Sequence, residues 1–127
     1  MKRRGTILVV DDEHDVLEMI EIGLGLDGYR VLSAESGEQA IEAVTHHQID
    51  LVISDLRMPG MDGVEAIARM REIAPHIPVI VVTGYLAPGA IDECMDLGQV
   101  KLLRKPFRFK KLTHAIRAAL DPAAQSS

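Results

Sequence analysis

The chain has 127 residues, 47% of them hydrophobic and 3% aromatic, a net charge of -5 and one cysteine. That length supports one domain with one aliphatic core, and the acidic balance argues against a nucleic-acid surface. The lone Cys94 rules out an internal disulfide and suits a small buried side chain in a reducing cytoplasm. The basic start Met1-Lys2-Arg3-Arg4 precedes only a short apolar run, below the about 7–15 residues of a secretory signal and the ~20 of a membrane span, so a cytoplasmic chain is expected.

In chain order, residues 7–10 (ILVV) form a continuous apolar run, the pattern of a strand buried on both faces of a parallel sheet. Val16, Leu17, Ile20 and Leu24 then recur at helical spacing, and Gly28 suits a helix C-terminus. Residues 30–34 are a weaker strand candidate. Ser36 followed by Gln39 is a capping-box pattern opening a helix over 37–47. Residues 51–53 read as another buried strand. After the loop marked by Pro59-Gly60, a helix carries Val64, Ile67, Ala68 and Ile73 and stops before Pro75. Residues 79–82 are a further buried strand. The helix after them is weak, since Pro88-Gly89 intrudes and only 90–97 remain. Residues 101–103 give a last strand, Phe109, Leu112, Ile116 and Ala119 one face of a closing helix, and 121–127 a frayed tail. Five successive β-α units predict an α/β, doubly wound fold. It is a five-stranded parallel sheet of flavodoxin-like order 2-1-3-4-5, with helices on both faces.

The first strand runs straight into Asp11-Asp12-Glu13, and crowded carboxylates beside a buried strand cost desolvation energy unless something compensates them. Ligands of such sheets bind outside the carboxyl ends of the strands. Asp11-Asp12, Asp55, Thr83 and Lys105 each follow or end a predicted strand, so three carboxylates, a hydroxyl and an ammonium converge on one edge. A hard divalent cation would let the carboxylates stay ionised. Lys and Thr suit phosphoryl oxygens, and a carboxylate flanked by metal and ammonium can attack phosphorus to form an aspartyl phosphate. Singly, each residue has a plainer reading as a turn, loop or solvated charge; their coincidence outweighs it. His14, His46, His47, His76 and His114 lack metal spacing and read as surface residues, Met58 and Met61 as loop residues, and Met70 and Met95 as core filler. Arg104, Lys105, Arg108, Lys110 and Lys111 read as a solvated helix start.

Asp11-Asp12, the segment Asp55-Leu56-Arg57-Met58-Pro59-Gly60-Met61-Asp62-Gly63, Thr83-Gly84 and Lys105-Pro106-Phe107 resemble, in this order, the receiver domain of bacterial two-component response regulators. The resemblance spans about residues 6–120 and implies a receiver domain at 1–121 with a tail at 122–127. It implies Asp55 as phosphoacceptor. Mg2+ (or Mn2+) would be held by Asp12, Asp55 and the backbone carbonyl of Arg57, with Asp11 acting through water. Thr83 and Lys105 would meet phosphoryl oxygens, Gly84 would leave room for them, and Lys105-Pro106 falls where the family has a cis peptide. The implied partners are a sensor histidine kinase or histidine phosphotransfer protein as donor and a downstream protein, with no direct contact to nucleic acid or membrane. Phosphorylation would alter the surface around the fourth helix, fifth strand and fifth helix. Self-phosphorylation and self-dephosphorylation are expected, not enzymatic turnover.

The sequence departs from the family at Leu102, where a Tyr or Phe is usual, and Tyr85 is the nearest aromatic substitute. A switch that orders or shifts residues 84–100 is therefore expected in place of a ring rotation. A free-standing receiver is expected; the alternative is a module of a larger hybrid kinase or regulator. An aspartyl-phosphate phosphohydrolase would want a second Asp where Arg57 stands. A flavin or nucleotide binder would want a Gly- or Ser/Thr-rich loop in place of Asp11-Asp12-Glu13, and an unphosphorylated adaptor would not need the acidic set.

Overall fold

The structure, a computed structural model, describes residues 4–58, 60–84 and 88–120. Ten elements alternate along it: β1 (Thr6–Val10), α1 (His14–Leu26), β2 (Arg30–Ala34), α2 (Gly37–His46), β3 (Leu51–Ser54), α3 (Gly63–Ile73), β4 (Val79–Thr83), α4 (Pro88–Asp96), β5 (Val100–Arg104) and α5 (Phe109–Leu120). All pairings are parallel and the strand order is β2-β1-β3-β4-β5, the α/β arrangement expected from the pattern.

Because successive side chains of a strand point to opposite faces, the apolar runs feed two cores at once. Leu8, Val10, Val52, Val79 and Val81 pack with Ala40 and Val44 of α2, Ala66, Ile67 and Met70 of α3, and Cys94 of α4. Ile7, Val9, Leu51, Ile53, Ile80 and Val82 pack with α1 and α5 through Leu17, Ile20, Leu24, Leu112 and Ile116. The central strands are thus covered on both sides, which is why they read as continuous apolar stretches.

The helix ends explain themselves locally. Gly28 stands at φ +95°, with its N–H donating to Gly25 O and that of Tyr29 to Leu24 O. That is a Schellman ending, which a left-handed glycine makes without a Cβ clash. Ser36 Oγ accepts from the Gln39 N–H at 3.2 Å, but the Gln39 side chain accepts from the Glu35 N–H at 2.8 Å, one residue before the cap. The Asp62 side chain accepts from the Glu65 N–H and starts α3. At α4 the structure corrects the sequence reading: Pro88 and Gly89 do not interrupt the helix but begin it. Proline is tolerated in a first turn because the N–H it lacks has no partner within the helix there. Met95 is also corrected, since it is 49% exposed while Met70 is fully buried.

Arg71 ties α3 to the far end of β4 and α4. Its guanidinium donates to the carbonyls of Ile77, Leu97, Gly98 and Gln99 at 2.8–3.1 Å. Leu97, Gly98 and Gln99 lie in the turn between α4 and β5, where the Gln99 carbonyl also accepts from the Val79 N–H at 3.2 Å, and the guanidinium satisfies carbonyls that leave the helix. Among the described residues no helix is long and apolar enough to cross a membrane.

Candidate functional site

The hydrogen-bond ladder continues one residue past three strands, and so fixes the backbone of the residues that matter. Asp11 N–H donates to Ala34 O, Asp55 N–H to Val10 O and Lys105 N–H to Thr83 O, each at 3.0–3.1 Å. Side chains that sequence reading placed at separate strand ends are thereby delivered to one edge of the sheet. A cavity of about 600 Å³ opens there, lined by Asp12, Glu13, Asp55, Arg57, Met58, Thr83, Gly84 and Lys105.

Asp11 and Asp55 are both buried and are held in the same way. Asp11 Oδ1 accepts from the Glu13 N–H at 3.0 Å, and Asp55 Oδ1 from the Arg57 N–H at 3.2 Å. Each Oδ2 then accepts from the Lys105 ammonium, at 2.8 Å for Asp11 and 2.9 Å for Asp55. Glu13 Oε1 lies 3.4 Å from the same nitrogen. Burial pulls the Lys105 pKa down, but the hydrogen bonds and charges of Asp11 and Asp55 outweigh it and hold it well above its ordinary value. Burial lifts the Asp11 carboxyl above its ordinary range; Lys105 and the Glu13 amide oppose that, and the Asp55 charge adds to it. The two directions are compatible because one ammonium is shared between two carboxylates.

The acidic set fits a hard cation. Carboxylate oxygens of Asp11, Asp12, Glu13 and Asp55 lie within 4.8 Å of one another, against a single Lys105 charge. An oxygen-only donor set of this kind, on an open cavity that admits water, is what Mg2+ takes. Glu13, named in the sequence reading only as part of the acidic run, is the N-cap residue of α1 and joins this cluster.

Thr83 is fully buried at the end of β4 with Gly84 beside it. A Cβ at Gly84 would meet only Lys105 Cβ, at 3.8 Å, so packing within the chain does not demand a glycine there. Gly63 is different: the sequence reading quoted it within the segment after Asp55 but gave it no packing role. A Cβ there would lie 2.5 Å from Leu56 Cα and 2.7 Å from Asp55 O, so α3 can approach the loop after Asp55 only through a glycine. Its N–H also donates to Leu56 O at 2.9 Å. Met58, expected in a loop, is buried against the core and anchors that loop. Leu102 is half-buried beside Val81, on the core face shared with α3 and α4. Pro106, joined to Lys105 by a cis peptide, lines a neighbouring cavity and not this one. Tyr85 lies outside the described residues.

The family described as response regulator receiver domain matches residues 7–117. The chain belongs to it. Sporulation initiation phosphotransferase F of Bacillus subtilis is 35% identical to this receiver domain over 114 residues, covering 90% of this chain and 92% of that protein. The transcriptional regulatory protein GlrR of Escherichia coli is 35% identical over 124 residues, but the receiver domain here spans only 27% of its length. The solved receiver domain of a sensor histidine kinase from Pseudomonas aeruginosa, with magnesium coordinated in its active-site cleft, is 29% identical. It superposes with a TM-score of 0.82 over 91% of this chain and 97% of that one. Receiver domains of response regulators serve phosphorelay signalling, and this one is a signalling domain of that kind.

Proposed function

We propose that the chain is a Mg2+-dependent phosphoacceptor switch in which Asp55 receives a phosphoryl group from a histidine kinase or a histidine phosphotransfer protein. The observation that carries this reading is the Lys105 ammonium bonded to Oδ2 of both Asp11 and Asp55, on a cavity rimmed by further carboxylates. A buried carboxylate whose two oxygens are oriented by an amide and an ammonium is presented for attack on phosphorus, provided its surroundings disperse the incoming charge. An oxygen of Asp55 forms the new bond to phosphorus while the bond from phosphorus to the donor imidazole breaks, and the imidazole nitrogen keeps the electron pair. Lys105, adjacent at 2.9 Å, then meets a phosphoryl oxygen, and the Thr83 hydroxyl another. Asp12, Asp55 and the Arg57 carbonyl would hold Mg2+, with Asp11 acting through water; the ion would neutralise charge on the carboxylates and the transferring group. A sporulation phosphotransferase and a receiver domain that holds magnesium in its cleft, both similar to this chain, support this assignment.

Output would leave through the surface of α4, β5 and α5, with Thr83 and Gly84 as the moving part and Leu102 and Pro106 as its neighbours in the switch. Half-buried Leu102 offers no ring to rotate, so the ordering or shift falls to residues 84–100. Incubation with Mg2+ and acetyl phosphate, followed by intact-mass measurement, tests the reading. The wild-type chain should gain one phosphoryl group, and neither Asp55→Asn nor the metal-free protein should. Equal labelling of Asp55→Asn would overturn the assignment.

A further inference from the structure

The charge of this acidic chain is segregated. Residues 97–120 contain seven of the fourteen Lys and Arg residues and no Asp or Glu, so the other seven cations face all nineteen carboxylates. The fold gathers part of this basic stretch around a second cavity, of about 670 Å³, between the end of β5 and the start of α5. Pro106 and half-buried Phe107 supply its apolar wall, and Arg104, Arg108, Lys110 and Lys111 stand around it, all exposed. Among the described residues none of these four makes an ion pair, whereas Lys105 is turned into the neighbouring acidic site. Lysine and arginine spread singly over a surface need no explanation. Four without ion pairs, ringing a cavity with a ring-lined wall, combine the two features by which short peptide segments are recognised: a pocket for an apolar anchor and counter-charge for its flanks.

We propose that this surface docks an acidic segment of a partner protein. An apolar side chain of that segment sits against Pro106 and Phe107, and its carboxylates meet Arg104, Arg108, Lys110 and Lys111. The inference gives chemistry to the downstream protein partner of the reading above and rests on that reading to this extent, but not on phosphorylation of Asp55. A long nucleic-acid strand fits less well, because a polyanion leaving the patch at once meets the acidic remainder of the domain. A small inorganic anion would leave the apolar wall unused.

The test is fluorescence anisotropy of the full chain with a short labelled peptide in which Glu and Asp flank a Leu-Phe pair. Three controls run beside it: the same peptide with Gln and Asn for its acids, one with Ser for Leu and Phe, and a single-stranded oligonucleotide of equal charge. The acidic peptide should bind more tightly than all three. The double variant Arg108→Glu, Lys111→Glu should weaken it by about tenfold or more, as reversal of steering charges does. Both positions are exposed, so the variant should fold, as circular dichroism and unchanged acetyl-phosphate labelling would verify. Equal binding of the neutral peptide, unaltered affinity in the double variant, or tighter binding of the oligonucleotide would overturn the proposal. A wild-type chain that binds the peptide but takes up no phosphoryl group would overturn the phosphoacceptor reading and leave the docking surface standing. The reverse result would overturn docking alone.

Discussion

Replacing Gly63 by alanine adds one methyl group where three backbone atoms already stand: Leu56 Cα at 2.5 Å, Asp55 O at 2.7 Å and Leu56 O at 2.9 Å. None of these is the end of a flexible side chain, so either α3 or the loop after Asp55 must move. Overpacking of this kind costs about 1–3 kcal/mol, and the rigidity of the obstacle favours the upper half of that range. The better helix propensity of alanine offsets little of it, because Gly63 is the first residue of α3. A loss of about 2 kcal/mol lowers the urea midpoint by about 1 M for a domain of this size. The same displacement carries the Arg57 carbonyl and the Asp55 carboxylate out of register, so labelling by acetyl phosphate should slow together with the loss of stability. Gly25→Ala is the internal control. Among the described residues no atom outside its own helix backbone and chain neighbours lies within 4 Å of its added Cβ, and it should be neutral or stabilise by about 0.5 kcal/mol. A Gly63→Ala midpoint within about 0.2 M of wild type, with unchanged labelling, would refute the claim that this glycine sets the approach of α3 to the site.

Lys105→Ala removes the ammonium that is bonded to two carboxylates only 4% and 8% exposed. In metal-free buffer it should cost on the order of 2–4 kcal/mol by urea denaturation, while Mg2+ affinity by titration stays equal or tightens, because the pocket becomes more negative. A marked loss of Mg2+ affinity would show that the lysine shapes the pocket instead of competing with the cation. Asp12→Ala should weaken Mg2+ binding far more than Glu13→Ala, although both carboxylates lie on the rim. Similar losses in the two titrations would place Glu13 among the ligands.

The residues at the strand ends were legible because a strand covered on both faces changes abruptly from apolar to charged where it leaves the sheet. Val10 to Asp11 marks such an exit; Ile53 to Ser54-Asp55 and Val82 to Thr83 mark a change from apolar to polar at the last residue of β3 and of β4, and the strand order makes these ends neighbours. What spacing does not encode is which side of a helix meets the sheet and how closely. Met70 and Met95 looked alike as apolar residues in helical stretches, yet only the first lies under the sheet. Gly63 had no role in the sequence reading beyond its place in the segment after Asp55, and its contact with the backbone of Leu56 exists only once α3 has docked. Pro88 read as an interruption because the helix boundary was set too late; a proline has opposite meanings in the first turn and in the middle. Of the basic run read as solvent-facing, Arg104, Arg108, Lys110 and Lys111 are exposed while Lys105 is turned into the acidic site, and the cavity the four surround arises from the turn between β5 and α5.

The Arg71 guanidinium has a mechanical consequence. By gripping the carbonyls of Leu97, Gly98 and Gln99 from α3, it fastens the C-terminal end of α4 to a helix that is itself docked beside Asp55. A rod secured at one end pivots. On the proposed reading, a displacement that starts at Thr83 and Gly84 would swing the Pro88 end of α4 most and leave residues 97–99 nearly still. For a given rotation about that anchor, the movement of the free end would scale with the nine-residue length of α4.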